Sequence, residues 1–133
     1  MIALLASYLL SLVVLVVVDL SWAGLLMKDF YRARLGHLLA PGVNFMPLVW
    51  FYLLLSIGIF YFASYPAFVR HSWVLAACSG ALLGIIAYGT YDLTNMATLP
   101  SWPLSVTIID ICWGGFVTAL TATIGFALLS LFG

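Results

Sequence analysis

The chain has four acids, all aspartates, and three of them fall inside long apolar runs. They are Asp19 in Asp19-Leu20-Ser21-Trp22, Asp92 in Tyr91-Asp92-Leu93-Thr94-Asn95, and Asp110 in Asp110-Ile111-Cys112-Trp113. A carboxyl group at such a position is costly and is by default a functional group. Its chemistry is narrow. It binds a cationic or hydroxylated ligand, exchanges a proton, or forms half of an acid–base pair. Three carboxylates at low dielectric cannot all ionise unaided, so they share protons or draw on cations. The nearest cations in the chain are Lys28, Arg32 and Arg34, with His37 beyond them. A basic loop folded back on the acids would neutralise them and merely pin the helices together. The functional alternative is a polar pocket walled by Trp22, Trp113 and Tyr91, with Asn95 one turn beyond Tyr91. The binding or proton-exchanging candidates are therefore Asp19, Trp22, Tyr91, Asp92, Asn95, Asp110 and Trp113, with Lys28, Arg32 and Arg34 as charge partners.

These acids need long apolar helices to hold them. Of the 133 residues, 66% are hydrophobic and 6% charged, with zero net charge. Soluble domains carry about a quarter charged residues. Too few polar side chains exist to coat a soluble core, whereas apolar runs of about 20 residues span a bilayer as helices. The pattern predicts an all-α polytopic membrane protein, a single integral domain over 1–133. Four spans, at about 2–26, 47–64, 72–97 and 103–132, would form an antiparallel bundle. A short interfacial helix should follow the first span, because Tyr31, Leu35 and Leu38 make one apolar face opposite Lys28 and Arg32. Residues 65–71, with Pro66, read as a short loop. The first span lacks a basic leader and an A-x-A site, and reads as a retained helix. No basic run suggests nucleic acid.

Alternating spans bring the three acids to one level. Asp19 is nine residues before Lys28, Asp92 eight before Pro100, and Asp110 seven after Pro103. At ~1.5 Å per residue, each lies roughly 10–14 Å from the loop that bounds it. Trp22 and Trp113 each lie three residues beyond an aspartate, on the same helix face. Gly80, Gly84, Tyr88 and Asp92 recur every four residues, a spacing that lets a neighbouring helix approach closely. Thr107, Asp110, Gly114, Thr118, Thr121 and Gly125 line one face of the fourth span. Lys28, Arg32 and Arg34 outnumber Arg70, so the first loop is expected in the cytoplasm and both termini on the outer side.

The remaining candidates are weaker. Cys78 and Cys112 have no metal-type spacing and read as small packing residues. His37 and His71 fall on opposite sides of the membrane, which disfavours a shared metal or haem. No nucleophile motif or phosphate loop occurs, and no cofactor is indicated. The aromatic-rich second span, with Trp50, Phe51, Tyr52, Phe60, Tyr61 and Phe62, reads as surface facing lipid or a partner.

The string Tyr91-Asp92-Leu93-Thr94-Asn95-Met96-Ala97-Thr98-Leu99, with Trp102-Pro103 and Asp110-Ile111-Cys112-Trp113-Gly114, resembles a bacterial membrane family known as domain of unknown function 2177. The Asp19 segment and Asp29-Phe30-Tyr31 fit it as well. The resemblance covers essentially the whole chain. It implies a four-helix inner-membrane protein and transfers no activity.

Three functions remain in competition. In the leading one, a carrier or binder holds a small amphipathic or lipid-like molecule, with Asp92 and Asp110 contacting cargo or proton and Asp19 tuning them. Four short helices enclose little volume, so a homo-oligomer or a partner membrane protein is expected. The second is a lipid-modifying membrane enzyme whose substrate tail lies along the Gly80–Gly84 groove. The third is an accessory subunit of a larger membrane complex.

Overall fold

A computed structural model describes residues 1–133 as helices joined by short turns, without strands. Four helices are long and apolar enough to cross a membrane: α1 (Ile2–Leu26), α3 (Phe45–Val69), α4 (Trp73–Thr98) and α5 (Leu104–Phe132). The short α2 (Lys28–Leu35) follows α1. Apolar side chains such as Val13, Val17, Leu54, Leu82 and Phe116 point outward, while Ser7, Ser11, Ser56, Ser64, Thr107, Thr118 and Thr121 are buried. This inversion of the soluble pattern marks a multi-pass membrane protein, whose helices associate through close packing and hydrogen bonds because lipid supplies no hydrophobic drive between them.

The closest helix pair is α4 against α5. Gly80 and Gly84 face Thr118, Ala122 and Gly114, and a Cβ on Gly84 would collide with Thr118 Oγ1 and the Gly114 carbonyl. Thr118 Oγ1 donates across the interface to the Gly80 carbonyl at 2.6 Å. The Tyr88 ring lies over Gly114. α5 thus fills the glycine groove of α4, and no substrate tail can run there. On α1, Ser7, Ser11, Leu15 and Asp19 form the buried stripe at four-residue spacing. Tyr8 OH bonds Ser56 Oγ at 2.9 Å, tying α1 to α3.

The second span continues to Val69, five residues past the expected end at 64. Pro66 does not break it. A π-helical turn over Phe60–Ser64 precedes the proline, and the wider winding relieves the clash between the ring and the preceding turn while the missing N–H needs no acceptor. A second π-helical turn, Trp22–Leu26, closes α1. Ser72 caps α4 by accepting from Leu75 N. The turn before α5 places Ser101 at φ 61°, and Trp102 Nε1 closes it onto Thr107 Oγ1 at 3.1 Å.

Gly84→Ala should lower stability by about 1–3 kcal/mol, because backbone and Thr118 must both shift. Gly24→Ala, where a Cβ meets nothing within 4 Å, should cost nothing. Unfolding of the two variants in mixed micelles checks the contrast.

Candidate functional site

Asp19 is the most heavily bonded acid. It is 9% exposed and receives one hydrogen bond from each of the other three spans. Tyr52 OH of α3 donates to Oδ2 at 2.6 Å. Trp113 Nε1 of α5 and Tyr88 OH of α4 donate to Oδ1 at 2.8 and 3.2 Å. Three donors satisfy this carboxyl without a cation beside it.

Asp110, half-buried on α5, accepts a hydrogen bond from Tyr31 OH of α2. Trp22 Nε1 approaches the same phenol oxygen at 3.1 Å. An indole N–H only donates, so the phenol accepts from Trp22 and sends its own proton to Asp110. Burial first, and then the Asp110 bond, hold the Tyr31 phenol above the ordinary tyrosine range. It is therefore a firm donor at neutral pH. The Trp22 ring stacks on Trp113, with centroids 4.2 Å apart and planes 5° from parallel. The two indoles link the Asp19 network to the Asp110 network.

Asp92 differs from both. It is fully buried, it faces the Asp110 carboxyl, and neither of its oxygens has a hydrogen-bond partner. An unpartnered buried polar group is expensive, and in a native structure it calls for a specific reason.

The other candidates are arranged less compactly. Tyr91 is exposed and packs edge-on against Trp102, centroids 6.0 Å apart. Asn95 lies beside Tyr91. Lys28 and Arg32 are exposed. Arg34 bonds Ser105 Oγ at 3.1 Å and covers the Phe30 ring. Tyrosine and tryptophan, rather than these cations, supply the hydrogen bonds that reach the acids. Trp22, Trp113 and Tyr31 fill the space where an open pocket was expected. Broad grooves occur at the other end of the bundle, one of about 510 Å³ lined by Met1, Tyr8 and Phe60 among others. Cys78 and Cys112 are exposed, and so lie on the outer surface instead of packing inside.

Three participants escaped the sequence reading: Tyr31, Tyr52 and Tyr88. Tyr52 sits in an aromatic run that reads as surface facing lipid or a partner, Tyr31 falls in an apolar face, and Tyr88 reads only as part of the groove. A phenol inside an apolar span needs a partner for its hydroxyl, and that need was the available signal.

The family model described as "Predicted membrane protein (DUF2177)" matches residues 4–127. No curated protein and no solved structure matches the chain.

Asp19→Ala strands three donors, each costing about 1–3 kcal/mol, and should prevent recovery of a folded bundle or lower its unfolding midpoint sharply. Asp92→Asn removes a carboxyl that receives no donor, and should leave the midpoint nearly unchanged. Thermal unfolding of both variants in mild detergent tests this. Equal losses would contradict it.

Proposed function

We propose, for a chain that belongs to the DUF2177 family of predicted membrane proteins, that its acidic cluster binds or carries a small amphipathic or lipid-like molecule and exchanges a proton as it does so. One observation carries this reading. Asp92 is fully buried against Asp110, and no donor reaches either of its oxygens. Two bare anions cannot coexist there at low dielectric. A proton between them, or a donor group of a ligand in its place, resolves the conflict. Asp19 has no such need, because three donors already satisfy it.

The roles then divide. Asp92 and Asp110 form the exchanging pair, Asp19 holds the bundle together around it, and Trp22 and Trp113 cover it. Tyr91 and Asn95 flank the approach from the end of α4. Lys28, Arg32 and Arg34 keep the first loop cytoplasmic in a bacterial inner membrane, with both termini outside, so the covered site lies toward the cytoplasmic leaflet. Their charge also favours an acidic neighbourhood electrostatically without direct pairing. A second copy of the chain or a partner membrane protein would complete a path that four helices are too few to enclose.

Wild type and Asp92→Asn, purified in mild detergent and extracted for mass spectrometry, test the reading. A defined small molecule should accompany the wild type and be missing from the variant. Bulk lipid alone in both preparations would overturn it.

A further inference from the structure

Tyr31 is the one member of the acidic network that does not belong to a spanning helix. It reaches the cluster from α2, an eight-residue helix followed by Gly36 and by Pro41-Gly42. Its hydroxyl performs two tasks at one point, accepting from Trp22 Nε1 and donating to Asp110 Oδ1. Near it Asp92 is fully buried, and neither of its oxygens has a donor.

We infer that the Tyr31 phenol is a tethered stand-in for a ligand hydroxyl, and that the site takes the head of a polyhydroxylated molecule, an adjacent diol of the glycerol type, in place of a cationic head. This rests on the reading that the acidic cluster binds a ligand, and it names the ligand's chemistry. A group that replaces the phenol must accept one hydrogen bond and donate another. A hydroxyl does both. An ammonium has no acceptor, and a carbonyl or ionised phosphate has no donor. A quaternary ammonium offers neither. The neighbouring hydroxyl of a diol supplies the donor that Asp92 lacks. Tyr31 itself stays protonated across the physiological range, being held above the usual phenol value by burial and by Asp110, so its competition with the ligand is steric and hydrogen-bonded rather than set by its own ionisation.

The same head could come from the membrane or from water, so the probes are monooleoylglycerol and free glycerol, with oleyltrimethylammonium as the cationic control. Binding of radiolabelled probes to the full chain in nanodiscs is measured for wild type, Tyr31→Phe, Trp22→Phe and Asp92→Asn. Tyr31→Phe removes the competing hydroxyl but keeps the ring, and should bind a glycerol-headed probe about tenfold tighter, the worth of one charge-assisted hydrogen bond. A gain for monooleoylglycerol alone identifies a membrane source, and a gain for glycerol as well identifies an aqueous one. Trp22→Phe removes the N–H that demands an acceptor and should reduce the preference for hydroxyl over ammonium. Asp92→Asn should weaken glycerol-headed binding. If Tyr31→Phe gains nothing for either hydroxylated probe while oleyltrimethylammonium binds in an Asp92-dependent way, the diol assignment falls and the acidic binding site stands. If no probe binds any variant above an empty nanodisc, the diol assignment falls as well, and a defined compound in the wild-type extract then decides separately whether the site binds anything.

Discussion

One carboxylate on α1 accepts a hydrogen bond from every other span, and the bundle is built around that acceptor. In hydrocarbon an unmet polar group has no water to fall back on. Asp19 must find donors within the protein, and Tyr52, Tyr88 and Trp113 supply them from α3, α4 and α5. Each donor is in turn an aromatic, Tyr52 buried and Tyr88 and Trp113 half-buried, whose polar hydrogen needs an acceptor. The arrangement satisfies four groups at once and fixes the rotation of all four helices about their axes. The close approach of α4 and α5 serves the same end, because the Tyr88 ring reaches Asp19 only by lying over Gly114.

Satisfying Asp19 so fully leaves Asp92 conspicuous. Two carboxyl groups on α4 and α5 face one another in the same packed region, yet the donors go to Asp19 and Asp110. A structural role for Asp92 would need the partner that Asp19 has. Only the Asp110 carboxyl faces it, and a proton between the two or an outside donor balances the pair. Tyr31 closes the region from α2 with a hydroxyl that the spanning helices do not offer. A hydroxyl brought from outside the spans, over an unbalanced pair, is the physical basis for the proposed binding site.

Much of this was legible in the chain. Apolar length gave the four spans, and the spacing of Asp19, Asp92 and Asp110 from their loops placed them at a common level. The four-residue repeat through Gly80, Gly84 and Tyr88 marks a face that a neighbouring helix approaches closely, and the helix that does so is α5. Other features could not be read because tertiary neighbours decide them. Pro66 is a breaker in isolation, but a π-helical turn before it lets the helix continue. Tyr52 sits among aromatics of similar hydropathy, and only the position of Asp19 distinguishes it. The basic loop residues stand close to the acids in sequence, which suggested ion pairing. Lys28 and Arg32 remain exposed and Arg34 turns to Ser105, since water solvates a guanidinium or ammonium better than a half-dry carboxyl cluster can. Asp19 organises the fold, and Asp92 is the group the fold leaves open.

The proton between Asp92 and Asp110 can be observed directly. Infrared spectra of the protein in lipid at neutral pH, with and without isotope-labelled aspartate, report whether a protonated carboxyl is present. The account predicts an aspartic-acid carbonyl band in the ligand-free wild type that shifts with the label, disappears in Asp92→Asn and moves in frequency in Asp110→Asn, where the shared hydrogen bond is lost. A spectrum without that band, or a band that survives Asp92→Asn, would contradict it.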